Sequence, residues 1–416
     1  MELMGQRKTI SFITRIFLQF PTIAIATVTM IGISRYLGPS GRASISQVLL
    51  LSYLASSAIC TPIFLNVMHL KVASEIKTFA FESLYLFRQR NVLTIIILNL
   101  FFLFSTFLRD QLLNLELLFY MNLLITSYIV ATQIRDFFLR FHKNKVYGID
   151  FVTQVILSIS ILSFLLLQNL SVSKVIQAFV VTHGILALFL VALLKKRVQA
   201  FQYTDLIRKK SRMSRPSRKW RSRDSFANLG ILFHLTMSKD LLFGMVMLSK
   251  VDFGLMAALA SFWGVIRFIR PSAVIQTKLE SSHSKVLPNV PKRLLYIYSK
   301  GSSAIYLQLA IIGAVGLATY VMMPILLGSR FSPSVQIVLV GTIAEMLLMK
   351  CLYNLSTSTS SASQRLFWLL VILQTTSLMV LKLSDFNLTI DSIWISSCFT
   401  YLIWQILNTR VGKKWN

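Results

Sequence analysis

Acidic residues are scarce in this chain: 15 Asp and Glu stand against 43 Lys and Arg in 416 residues, a formal net charge of +28. Cysteine is scarcer still. Cys60, Cys351 and Cys398 lie far apart, within or at the edges of apolar runs and without C-x-x-C spacing. They read as small hydrophobes, which excludes a disulfide framework and a thiolate zinc site. The five histidines, at 69, 142, 183, 234 and 283, show no ligand spacing either. There is no G-x-x-x-x-G-K-[ST] phosphate loop, no H-E-x-x-H and no G-x-S-x-G. No catalytic residue, metal site or cofactor is therefore expected, and ATP-driven transport by this chain alone is excluded with the phosphate loop.

What fills the chain instead is hydrocarbon. Hydrophobic residues make up 55% and the mean hydropathy is +0.66, well above a soluble domain, whose apolar share is ~45–50% with glycine included. Several apolar runs reach the ~20 residues that a helix needs to cross a bilayer. Twelve candidate spans follow, at 11–34, 45–69, 91–109, 112–134, 149–168, 174–194, 226–249, 253–271, 302–327, 333–351, 366–383 and 389–408. Each is expected to be a helix, because an isolated span can satisfy its backbone in lipid no other way. The first contains Arg15 and Gln19 and lacks a clear cleavage site, so it reads as a span and not as a removed signal peptide.

The basic residues set the topology. With the N-terminus inside, the inner loops and termini hold 32 Lys and Arg, against 7 in the outer loops. The positive-inside rule then places both termini in the cytoplasm, and the charge needs no nucleic-acid partner. The largest polar piece, residues 195–224, carries 12 basic residues and can lie on anionic lipid headgroups. It divides the chain into an N-terminal six-helix lobe, 1–194, and a C-terminal six-helix lobe, 225–416. The halves echo each other weakly: Ile33-Ser-Arg…Gly41 between the first two spans resembles Leu248-Ser-Lys…Gly254 between the seventh and eighth. Matched halves with a midplane site are a common build of secondary transporters.

Ionisable groups inside spans are costly and mark candidate sites. Arg15 belongs to the series Ser11, Arg15, Gln19, Thr22 and Thr29, which shares one helix face. Such a stripe should face a water-filled cavity or a polar seam, while Arg15 alone could snorkel to the inner interface. Pro21 should kink or hinge that helix. Lys239 and Asp240 occupy the centre of the seventh span, where one could face a cavity and the other pair with a neighbouring helix, or both could be structural. Arg267 lies a turn deeper than Arg270 on the eighth span and is the better candidate for ligand contact. Glu345, with Thr342 one turn before it, could take up a proton, pair with a cation or satisfy a neighbour. Glu116 and His183 have weaker claims. The set Arg15, Gln19, Lys239 and Arg267 suits an anionic substrate, because Arg binds phosphate bidentately and Lys as a point charge. Asp240 and Glu345 form either a coupling site or part of a buried ion pair.

The stretch Leu37-Gly38-Pro39-Ser40-Gly41-Arg42-Ala43 contains two turn dipeptides and reads as a tight outer connection between the first two spans. It resembles the Leu-Gly-Pro-x-Gly-x-Gly turn of bacterial polysaccharide flippases, with Ala43 at the last small position. Leu327-Gly328-Ser329-Arg330-Phe331 resembles that family's Gly-x-x-Phe segment. These flippases export lipid-linked oligosaccharides for O-antigen, capsule or exopolysaccharide, and belong to the superfamily that includes multidrug extruders. The resemblance implies an all-α polytopic protein of about twelve transmembrane helices, with two six-helix lobes in a V around a central cavity, in the bacterial inner membrane. It further implies that cations on the first, seventh and eighth spans bind the diphosphate of a polyprenyl-linked oligosaccharide. Partners would be that substrate, membrane lipids and the polymerase and glycosyltransferases of the pathway, with the flippase itself monomeric. A major-facilitator transporter is disfavoured because residues 71–90 contain no glycine. A drug extruder of the same fold would usually carry cations, against the cationic cavity. A glycan polymerase or ligase would need a large outer loop, which is absent.

Overall fold

Apolar runs become helices wherever the structure is described. The computed structural model describes residues 12–68, 96–97, 99–100, 103, 115–141, 143–199, 235–236, 238–263, 302–357, 361–384 and 386–414. In chain order the helices are α1 (Phe12–Met68), α2 (Leu115–Phe141), α3 (Lys143–Leu166), α4 (Val172–Gln199), α5 (Lys250–Phe262), α6 (Ser302–Leu327), α7 (Val335–Thr357), α8 (Ser361–Leu383) and α9 (Ile390–Lys414). A further helical stretch, 238–247, precedes α5. Among the described residues there is no strand. Seven helices are long and apolar enough to cross a membrane, and each coincides with one of the twelve expected spans. The other five expected spans fall on α1 or lie wholly or partly outside the described residues.

The helices overrun the expected spans at one kind of end. Helix α2 runs on to Phe141, α4 to Gln199, α7 to Thr357 and α9 to Lys414, while α3 begins early at Lys143 and α8 at Ser361. All of these are ends that the charge count places inside. At the opposite ends α3 stops at Leu166, α6 at Leu327 and α8 at Leu383, within two residues of the expected limits. A helix leaving hydrocarbon already has its ladder of hydrogen bonds, and Lys and Arg are good helix formers, so nothing forces a stop where the basic residues begin. A bidentate pair, Arg135 Nε to Asp150 Oδ1 at 2.8 Å and Nη2 to Oδ2 at 2.5 Å, joins α2 to α3 in this overrun region.

Packing divides the chain into two units. One contains Thr22–Leu37 and Ser44–Lys239; the other contains Gly38–Ala43 and Asp240–Asn416. In the first, α2 packs along α4 and α3 lies against both, over a core that includes Met121, Ile125, Ile129, Val175 and Ile176. Asn99 and Asn122 exchange amide hydrogen bonds at 2.9 and 3.0 Å. The α1 stretch from Thr22 to Leu37 follows α3: Thr29 Oγ1 shares a hydrogen bond with Ser158 Oγ at 2.6 Å, and Gly32 faces Leu165. Helix α3 ends in a Schellman-type cap, with Asn169 N–H bonded to Phe164 O and Gln168 at a φ of 51°. The Tyr36 hydroxyl donates to Gln168 O at 3.1 Å and pins that turn. Leu166, Leu167 and Leu188, each more than 70% exposed, cover its outside with apolar surface, as a lipid-facing helix requires.

In the second unit α7 packs along α9, flanked by α6 and α8, with α5 touching α6 and α9. Trp263 meets Trp394 edge-on at 4.8 Å between ring centres, and both rings close on Gly341 of α7.

The Gly38 connection corrects the sequence reading. A loop was expected over 33–44; instead the break is Gly38 alone (φ 69°, ψ −174°), inside a helix otherwise continuous from Phe12 to Met68. Glycine takes the left-handed φ at little cost, and Pro39 has its φ preset for the first position of the next helix. Ser40 and Gly41 are therefore helical. The connection also packs elsewhere than expected. It sits with the second unit, where the Pro39 carbonyl presses on Gly254 of α5 so closely that a Cβ there would stand 1.8 Å from the oxygen. Arg330 lies over Gly38, and Gly328 (φ 98°) turns the chain so that Phe331 is fully buried.

Substitution at these contacts has a calculable sign. Gly254→Ala meets backbone and Gly341→Ala meets two indole rings, so each should destabilise by about 1–3 kcal/mol, the usual range for overpacking. Gly148→Ala, in α3 with nothing within 4 Å of its Cβ, should stabilise by about 0.5–1 kcal/mol through backbone entropy. Thermal unfolding of the three purified variants checks this, and equal shifts would refute it.

Candidate functional site

The helical stretch 238–247 brings two charged residues of the sequence reading into the interior. Lys239 is buried at 4% exposure, an unusual place for an ammonium. Asp240, the next residue, turns to α9, where Ser397 Oγ donates to its Oδ1 at 2.6 Å. Adjacent helix positions point about 100° apart, so the two side chains do not share one direction.

Asp240 heads a chain of polar groups. Ser397 Oγ also accepts from Gln374 Nε2 of α8 at 2.8 Å, and the same amide donates to Ser396 Oγ at 2.9 Å. Ser397 is fully buried and Gln374 nearly so, so these groups replace water for the carboxylate. Glu345 on α7 is 4% exposed. Thr342, expected to accompany it, gives its hydroxyl to Val338 O at 2.6 Å within its own helix. The element shared by the two acids is Tyr401 of α9, a fully buried phenol within electrostatic range of both Asp240 and Glu345. Cys351 Sγ, which donates to Tyr401 O at 3.6 Å and accepts from Gln405 Nε2 at 3.6 Å, completes this region. Two carboxylates, a phenol, an amide and two hydroxyls are thus gathered inside one unit. Chemically the set can hold a proton or a small cation. Among the described residues no group of three or more His, Cys, Asp or Glu could hold a metal ion.

Arg15 and Gln19 lie on the first turns of α1, and their side chains fall outside the described residues; Arg267 does so entirely. The described part of the Arg15 stripe ends at Thr29, whose partner is Ser158 of α3. At that level the stripe forms a seam between two helices. The weaker candidates are structural. Glu116 accepts from Ser173 Oγ at the exposed ends of α2 and α4. His183 stacks on Tyr128 at 4.2 Å and bonds Phe179 O at 2.9 Å.

Sequence reasoning missed Ser397, Gln374 and Tyr401, because single polar residues on three different apolar helices carry no spacing signal. It also misread Arg42, which was counted as an outer-loop charge but is buried at 6% exposure. The signal was available: in a helix that starts at Pro39, Arg42 falls in the first turn and not in a loop.

Among solved structures, the chain is similar to the inward-facing conformation of a multidrug resistance MATE family transporter of the MOP superfamily. The TM-score is 0.58 at 13% identity, covering 94% of this chain and 94% of that one. The outward-facing conformation of a multidrug resistance MATE family transporter gives 0.46 at 14% identity, over 95% of each chain. A MOP superfamily transporter from Pyrococcus furiosus gives 0.42 at 12% identity, again over 95% of each. No family model and no curated protein matches the sequence. The likeness to the first structure assigns the fold: an all-α membrane protein with the fold of the MATE transporters of the MOP superfamily.

The Asp240 network yields a stability prediction. Ser397→Ala removes a hydrogen bond from a buried hydroxyl to the half-buried Asp240 carboxylate and should destabilise by about 1–3 kcal/mol. Thr376→Ala, on an exposed hydroxyl that bonds only Ile372 O of its own helix, should change stability by less than about 0.5 kcal/mol. Thermal unfolding midpoints compare the two, and equal shifts would dismiss the network as a packing element.

Proposed function

We propose that this protein is a flippase, which carries a polyprenyl-diphosphate-linked oligosaccharide from the inner to the outer leaflet of the bacterial cell membrane for surface polysaccharide synthesis. The observation that carries the reading is Lys239, a cation 4% exposed in the middle of an expected span. It sits in a chain with the MOP transporter fold and few carboxylates. In this reading two six-helix lobes, 1–194 and 225–416, joined by the basic linker 195–224, rock between inward and outward openings. Arg15, Gln19, Lys239 and Arg267 contact the diphosphate and neighbouring hydroxyls while the prenyl tail stays in lipid. Phosphate suits these residues because charge-assisted bonds to it are roughly twice as strong as neutral ones. Asp240 and Glu345, held near Tyr401, take up and release the coupling proton or sodium ion. The polymerase and glycosyltransferases of the pathway would act on either side of this step.

A second reading, a multidrug-type ion-coupled antiporter, draws on the same fold and the same buried carboxylates. Cationic drugs would then have to pass the cations that the flippase reading puts to use, which is why it ranks second.

Reconstitution separates the two. Proteoliposomes should move a lipid-linked oligosaccharide between leaflets, and Lys239→Ala and Arg15→Ala should each slow flipping by about 10–100-fold, the loss expected for one charge-assisted contact. Unchanged flipping in both variants would sink the cationic site. Movement of cationic drugs without movement of the glycolipid would favour the antiporter.

A further inference from the structure

Arg42 has an environment that neither the fold nor the proposed transport explains. It is 6% exposed, in the first helical turn after the Gly38 break. Its Nη2 donates to Ser261 Oγ of α5 at 2.7 Å, and that hydroxyl donates onward to Ala257 O at 2.9 Å. Ser261 thus offers the guanidinium a lone pair and no charge. Nε and Nη1 are equally sealed from water, and neither has a hydrogen-bond partner. Arginine carries five N–H donors and stays protonated in proteins. One neutral acceptor therefore leaves its charge and most of its donors unmet. A buried cation without compensation is strongly destabilising, and buried orphan donors call for a bound water or ion. Water would satisfy the donors but not the charge.

The surroundings add positive potential. Arg42 lies in the first turn of the helix that begins at Pro39, at the positive end of its dipole. Arg330 lies over Gly38, its Nη1 3.6 Å from where a Cβ would stand. Among the described residues no carboxylate pairs with either guanidinium. The buried guanidinium of Arg42 therefore stands at a helix start with no counter-charge among the described residues.

We propose that Arg42 is the binding residue of an anion site for a compact oxyanion, namely phosphate, either free or as the phosphate ester of a lipid. Nε and Nη1 donate to its oxygens, and the bond to Ser261 holds the guanidinium plane in place. The site is separate from Arg15, Lys239 and Arg267, and does not depend on what the protein transports.

The test is thermal unfolding of the purified full-length protein, followed by tryptophan fluorescence. It is run in sodium phosphate and in sodium gluconate at matched pH and ionic strength, and in parallel with phosphatidylglycerol or phosphatidylcholine added. Wild type should gain at least ~2 °C, saturably, in phosphate or with phosphatidylglycerol. A gain in phosphate without lipid identifies the free anion as a ligand, and a gain only with phosphatidylglycerol identifies the lipid ester. Arg42→Gln should abolish the gain, while Thr376→Ala, on an exposed hydroxyl away from the site, should retain it. Should Arg42→Gln not fold, Arg42→Lys, which keeps the charge and loses the Nε donor, should bind the same ligand at least ~10-fold more weakly. Identical wild-type midpoints in all four conditions, or an Arg42 variant that responds as wild type does, would overturn the proposal.

Discussion

The contact on which the described architecture turns is between two backbones. The Pro39 carbonyl rests on Gly254 with no room for a Cβ. It can do so because Gly38 adopts a φ of 69° immediately before a proline that starts the next helix. Moving the break by one residue would hand the left-handed φ to Leu37 or Pro39, neither of which tolerates it. The same few residues place Arg42 against Ser261 and leave Gly38 under Arg330. Three short motifs that look unrelated along the chain are thereby one packing assembly. Each glycine in it answers a different demand: φ at Gly38 and Gly328, closeness at Gly254.

A second constraint follows from apolar helices that must still carry polar groups. Most hydroxyls solve it locally by donating to the carbonyl four residues back, as Thr375 does to Val371 and Ser163 to Ile159. The Asp240 network cannot be solved locally, since an ionised carboxylate needs donors from other helices. Helices α8 and α9 supply them through Gln374 and Ser397. That requirement ties the register of α8 and α9 to the stretch 238–247. Replacing one member leaves the others buried and short of a partner.

Membrane helices were legible in the sequence because length and apolarity alone identify them. The assignment of inner and outer ends rests on the asymmetric placement of the basic residues alone. Where helices run on past the hydrocarbon, hydropathy ceases to report secondary structure, and the ends at Phe141, Gln199 and Lys414 lay beyond its reach. The Gly38-Pro39 motif was recognisable, yet its contact with Gly254 lies more than 200 residues away in sequence and no local pattern encodes it. Charged candidates inside spans were found by their cost, and Lys239 and Glu345 are buried while Asp240 is half-buried and bonded to Ser397. Their neutral partners escaped notice because Ser, Gln and Tyr are tolerated in spans at many positions.

Polar satisfaction separates the working parts from the scaffold. Within the unit that contains Ser44–Lys239 the described polar pairs include Asn99 with Asn122, Arg135 with Asp150, Thr29 with Ser158 and Gln177 with Tyr120. Orphaned buried atoms concentrate instead in the unit that contains Gly38–Ala43 and Asp240–Asn416, at Arg42 Nε and Nη1, Trp263 Nε1 and Asp391 Oδ1. Thr236 Oγ1, three residues before Lys239, is a further such atom. A fold that spends its polar groups so carefully elsewhere has no reason to strand them here for packing alone. Buried groups short of partners belong where a ligand, an ion or a second conformation completes them. Arg42, beside the helix start at Pro39, is such a group.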